Sequence, residues 1–138
     1  MRCDDHDSEC IFASITLFVY GLCVREIESI DPRQSAGSTE QFEEAAELFA
    51  TAARIEAQLA ATAQQHGQTD TALVHLVSEM SCWAAAGDTY RALSRGQQLL
   101  ALSTLTPAQR THISDFVQQV TERRRTWMQS WNYAVAAT

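Results

Sequence analysis

The chain has 138 residues, about one domain's worth, with 46% hydrophobic and 20% charged residues, five Gly and two Pro. That composition excludes disorder, collagen-like repetition and a multidomain enzyme, and it points to an all-α fold. The net charge of −7 argues against non-specific nucleic-acid binding, because an acidic surface is repelled by phosphate backbones.

In chain order, about five helices are predicted within a single domain, 1–138. Residues 1–7 are expected to fray. A first helix covers about 8–30, with apolar residues on nearly every face between Ile11 and Val24. It therefore belongs at the centre of the fold or against another chain, and a homodimer through it is one partner expectation. The apolar stretch from Cys10 to Val24 is fifteen residues, short of the roughly 20 that span a bilayer. Asp4, Asp5, Asp7 and Glu9 stand before it, where a secretory leader carries bases. Neither a membrane span nor a signal peptide is expected. Residues 31–38 read as a linker, since Pro32 disfavours helix at Asp31 and Gly37 with its serines adds turn chemistry.

A second helix is predicted to start with Ser38 as N-cap and Gln41 three residues on, a capping-box spacing, with Glu40, Glu43 and Glu44 near the positive end of its dipole. Its stripe of Phe42, Ala45, Ala46, Phe49, Ala52, Ala53, Ile55 and Leu59 is narrowed by alanines, and Gly67 is its natural stop. The third helix starts after Asp70, carries Leu73, Val74, Leu76, Val77, Met80 and Trp83, and ends near Ala86. Gly87 suits left-handed geometry and Asp88 can cap the next helix, which makes a helical hairpin. A fourth helix holds Ala92, Leu93, Leu99, Leu100 and Leu102. Thr106, Pro107 and Gln109 then signal the start of a fifth, with Ile113, Phe116, Val117 and Val120 on one face. Beyond Arg125 the tail, with Trp127, Trp131 and Tyr133, either extends that helix or folds back.

The hairpin pattern is the most specific signal. Residues 42–52 place Ala45, Phe49 and Ala52 at a small, aromatic, small spacing. Residues 73–102 put Trp83 late in one helix, Gly87 and Asp88 at the turn, and Ala92 where two helices would touch. A competing register, Trp83, Ala86, Gly87 and Tyr90, would bury Gly87 inside a helix and leave its partner too short before Pro107. In these residues the chain resembles tetratricopeptide-repeat proteins. It departs from them in that Glu40 and Gly87 are 47 residues apart and Gly96 stands where a large side chain is usual, so the implied array is irregular.

The resemblance implies antiparallel hairpins stacked around a groove that holds a partner's helix or peptide, without catalysis. The groove positions it implies are Val74, Val77, Ser81 and Ala84, with Thr111, Asp115 and Gln118 from the fifth helix. Within that family, the acidity, size and residues 87–100 are similar to small bacterial type III secretion chaperones, which implies a cytoplasmic adaptor or chaperone. Ala richness and the absence of Lys also favour a bacterial source. The alternative is a helical bundle that binds a small ligand or metal in its core.

The remaining constellations are weak. Cys3, His6 and Cys10 have no zinc-knuckle spacing, and His75 with Glu79, one turn apart, is a single copy of a motif that carboxylate-bridged metal bundles use twice. No metal or cofactor is expected. Cys3, Cys10, Cys23 and Cys82 form no C-x-x-C pair and are expected to be reduced thiols. No phosphate loop, nucleophile elbow or H-E-x-x-H occurs, so no enzyme is expected. Arg123, Arg124 and Arg125 beside Trp127, Met128 and Trp131 read either as the edge of the core with a solvated basic face or as a patch for a membrane surface or acidic partner.

Overall fold

A computed structural model describes residues 35–137, with side chains described over 40–137. Four helices stand in order: α1 (Ser35–Gln65), α2 (Thr69–Ala85), α3 (Thr89–Leu100) and α4 (Pro107–Ala136). The described residues are thus all-helical, with no strand. The helix predicted over 8–30, the terminus at 1–7 and residues 31–34 of the predicted linker lie outside the described residues, while its second half, 35–38, is helical.

Two expectations change. Helix α1 already includes Ser35, so the Ser38–Gln41 spacing falls inside it and not at its cap. One glycine costs a helix only about 1 kcal/mol, and Gly37 among serines does not outweigh the helix formers after it. The tail does not fold back: α4 runs unbroken to Ala136.

The turns arise directly from their residues. Gly67 and Gly87 have φ of 70° and 81°, the left-handed region that glycine enters without penalty. At the first turn Gln68 N donates to Ala63 O (2.9 Å) and Gly67 N to Gln64 O (3.0 Å). At the second, Asp88 N donates to Trp83 O (2.9 Å) and Gly87 N to Ala84 O (3.1 Å). Both are Schellman turns that satisfy the last carbonyls of the helix before them. The same letters recur around them: Gly67, Thr69, Ala72 and Leu73 correspond to Gly87, Thr89, Ala92 and Leu93. Helix α4 starts with the expected capping box, Gln109 N donating to Thr106 Oγ1 (3.2 Å) and Thr106 N to Gln109 Oε1 (3.0 Å).

Packing is sequential: α1 lies on α2, α2 on α3, and α3 on α4. Helix α2 sits between two neighbours, and residues 77–84 are buried without a break, over two full turns. Met80, Leu99, Ile113 and Val120 are among the largest fully buried side chains. Gly96 on α3 marks the closest approach. A Cβ there would run into the Val117 side chain of α4 and come within 3.2 Å of Met80 Sδ on α2, so no larger side chain fits at this position without a shift of its neighbours.

Helix lengths shape the ends of this array. The outer helices have 31 and 30 residues, about 46 and 45 Å at 1.5 Å per residue, while α2 and α3 have 17 and 12, about 26 and 18 Å. The N-terminal part of α1 and the C-terminal part of α4 therefore run past the hairpin they flank.

Candidate functional site

The most developed site is built around Trp83, in the last turn of α2. Its ring is 7% exposed and its Nε1 donates to Glu79 Oε1 one turn back (3.2 Å). The guanidinium carbon of Arg91 lies 4.5 Å from the ring centroid, and that of Arg54, reaching from α1, 5.9 Å away. Cations over an indole face are attracted by its quadrupole, so helices from both sides converge on one aromatic ring.

Glu79 is a carboxylate only 5% exposed. It is compensated by Arg95 on α3, whose Nη2 donates to Glu79 Oε1 (3.0 Å) while Nε lies 2.8 Å from Oε2 without the alignment of a hydrogen bond. Arg95 Nη1 also donates to Gln98 Oε1 (2.6 Å). A buried carboxylate without such a partner would be strongly unfavourable, so this pair ties the α2–α3 hairpin together beneath Trp83. Asp88 Oδ1 accepts from Arg91 N (3.0 Å), capping α3, and its other oxygen is 3.5 Å from Arg91 Nε, which holds Arg91 against the ring.

Beside Trp83 opens a cleft of ≈ 890 Å³ between the N-terminal half of α1 and the α2–α3 turn. One wall is acidic: Glu40, Glu43, Glu44 and Glu47 lie along it, and Asp88 adds a carboxylate across the cleft. Ala46, Ala50 and the Trp83 ring supply its apolar part. A smaller recess of ≈ 250 Å³ shares Trp83 and Arg91 and is lined by Glu79, Tyr90, Ser94 and Arg95. Five carboxylates against the two guanidiniums of Arg54 and Arg91, which are themselves engaged with the Trp83 ring, leave the cleft net acidic, and Ala46, Ala50, Ala86 and Trp83 add apolar surface, which suits a cationic, partly apolar segment.

The positions expected to line a groove are placed differently. Val77, Ser81 and Ala84 are in the core, at 3%, 2% and 6% exposure, and Val74 is half-buried. Thr111, Asp115 and Gln118 are exposed on α4, with Thr111 Oγ1 donating to Pro107 O (3.0 Å). The two recesses take in none of these seven residues. The physical reason is that α2 has neighbours on two sides, so its predicted groove face is covered.

His75 and Glu79 also part company. His75 Nδ1 is 2.7 Å from Glu56 Oε2 on α1, whereas Glu79 turns to α3. Among the described residues no group of three or more His, Cys, Asp or Glu could hold a metal ion. Cys3, His6 and Cys10 lie outside the described residues, and Cys82 is buried. On α4, Trp127 and Trp131 stack with centroids 5.9 Å apart and are 62% and 61% exposed, so the tail is surface and not the edge of the described core. No described helix is long and apolar enough to cross a membrane.

Sequence reasoning missed the cleft, although its signal was present. Glu40, Glu43, Glu44 and Glu47 recur at helical spacing along one face, and Glu79 and Trp83 stand one turn apart. No family model, curated protein or solved structure matches the chain.

Proposed function

We propose that the chain is a non-catalytic, cytoplasmic protein-binding adaptor or chaperone of tetratricopeptide-like build, holding a basic and partly apolar helix or peptide of its partner. The observation that carries this reading is the cleft at Trp83, with four glutamates, Ala46 and Ala50 along α1 and the Trp83 ring and Ala86 across from them. Two consecutive glycine turns with the same Schellman pair of hydrogen bonds, and packing of each helix on its sequence neighbours, support the repeat-like scaffold. Arg and Lys of a bound segment would pair with Glu43 and Glu47, and its apolar side chains would cover Ala46, Ala50 and the exposed rim of Trp83. A chaperone of the type III secretion kind would use such a cleft to shield a partner's amphipathic segment from self-association.

The test uses two synthetic amphipathic peptides of equal length, Leu with Arg and Leu with Glu, titrated against the full chain by calorimetry. The Arg peptide should bind and weaken as salt rises, because the charge pairing is partly exposed. Glu43→Arg with Glu47→Arg should reduce its affinity at least about tenfold, about 1.4 kcal/mol. Equal binding of the two peptides, or affinity unchanged by the double substitution, would mean that the cleft is not the binding site.

A further inference from the structure

Helix α1 has two apolar faces, and only one of them is used among the described residues. Ala53, Ala60 and Ala63 are buried against the rest of the array. A second stripe, Leu48, Ala52, Ile55 and Leu59, recurs at i, i+4, i+7 and i+11, the spacing with which one helix receives another. Its large members stand open: Leu48 is 67% exposed, Ile55 50% and Leu59 43%. Most of the acidic cleft's α1 lining is turned away from it, since Glu43, Glu47, Ala50 and Arg54 are each five residues earlier than a member of this stripe, about 140° around the axis, while Glu40 and Glu44 continue the stripe's row before Leu48.

We propose that the chain's own apolar segment, residues 11–24, docks antiparallel along this Leu48–Leu59 flank of α1. Three observations select this occupant. The first is connection: only the ten residues 25–34, with Pro32 near their end, separate the segment from the described part of α1 at Ser35, so a reversal there delivers it first to the N-terminal half of α1. The second is length. Fourteen residues of helix span about 21 Å, against about 26 Å from Phe42 to Leu59, whose side chains are also open.

The third is charge, which sets the direction. A parallel arrangement would bring Asp4, Asp5, Asp7 and Glu9 beside Glu40, Glu43 and Glu44. The antiparallel one brings Arg25, Glu26 and Glu28 to those glutamates, one net negative charge in place of the leader's four, and carries the acidic leader away toward the far end of α1. Apolar residues on nearly every side of the segment require a cover of this kind, because burying large aliphatic side chains is the dominant favourable term available to it. The proposal does not require the cleft at Trp83 to bind a partner, although Arg25 would then sit against Glu40, Glu43 and Glu44, which also line that cleft.

The experiment places the photo-reactive residue p-benzoylphenylalanine at Leu48 or at Ile55 in the full chain, with Glu47 as the control position on the cleft side. After irradiation, products are separated by size and digested with trypsin, which leaves residues 3–25 as one peptide. Both probes should join to that peptide within a monomeric product, at yields at least about tenfold above the Glu47 control. Dimeric products would show a second copy on the flank instead. Dimers, equal yield from Glu47, or no product joined to residues 3–25 from either probe would each overturn the proposal.

Discussion

The middle of the array and its overhanging ends are built from similar residues and have opposite fates. At the middle, Met80, Leu99, Ile113 and Val120 are almost completely buried, because α2, α3 and the first half of α4 come together around Gly96. On α4 the same helical face continues past Val120 to Trp127 and Trp131, and both tryptophans are exposed. The change coincides with the short length of α3: twelve residues cannot cover a neighbour of thirty. Apolar spacing along a helix therefore states what the helix can bury, and the length of its neighbour decides what it does bury.

The largest expected difference comes from cutting back one apolar side chain in each region. Leu99→Ala should destabilise by about 3 kcal/mol, since it removes a side chain with 1% exposure and leaves a cavity in the core. Trp131→Ala, despite the larger side chain removed, should cost less than about 1 kcal/mol, because 61% of that residue is already in water. Urea unfolding of the two variants measures this directly. Similar midpoints would mean that the end of α4 is covered as well as the middle.

Next in size is the ion pair that crosses the middle. Glu79→Ala should cost about 2 kcal/mol, because it strands the Trp83 N–H and leaves Arg95 without its carboxylate. Glu79→Gln should cost less, as the amide oxygen still accepts from Trp83. An exposed pair near the overhang gives the contrast. Arg125 and Glu122 stand 4.0 Å apart at 70% and 68% side-chain exposure, and Glu122→Ala should leave the unfolding midpoint unchanged within error.

Smaller again is Gly96→Ala. Contact with Val117 and Met80 opposes the added methyl by roughly 1–3 kcal/mol, and the better helix propensity of Ala returns about 1 kcal/mol, leaving a net loss of about 1 kcal/mol. A gain in stability would show that the three helices at Gly96 have room to spare.

Legibility in the sequence divides along the same line. Local chemistry was readable: Gly67 and Gly87 as stops, Asp88 as a cap, and Thr106, Pro107 and Gln109 as a start all depend on a few neighbouring residues. Neighbour number was not. Val77, Ser81 and Ala84 have the spacing of an open face, but the burial of α2 between α1 and α3 depends on how the hairpins close, which no local pattern records. The Trp83 cleft was hidden for the same reason, since Arg54 and the glutamates that complete it lie 29 or more residues earlier in the chain. Ser38 failed as a cap because a good cap spacing inside a longer helix does not stop that helix from starting earlier.

The smallest effects separate the two turns themselves, which share their Schellman pair of backbone hydrogen bonds and differ in the residue that follows the glycine. Asp88 caps α3 by accepting from Arg91 N, whereas Gln68, at the equivalent position before α2, makes no side-chain cap. Asp88→Ala should therefore cost about 1 kcal/mol. Gln68→Asp should gain somewhat less, because the backbone there (φ −87°, ψ 71°) is nearly that of Asp88 (φ −82°, ψ 75°) and can accept the same bond. The added charge also lies at the positive end of the α2 dipole, although Asp70 in the first turn already occupies part of that field and trims the benefit. Thermal melts of the two single variants and of the pair decide it. The two changes should offset within about 0.5 kcal/mol in the double variant, since the turns lie at opposite ends of α2 and share no partner. A loss on Gln68→Asp would mean that equal backbone angles are not enough to make the two turns interchangeable.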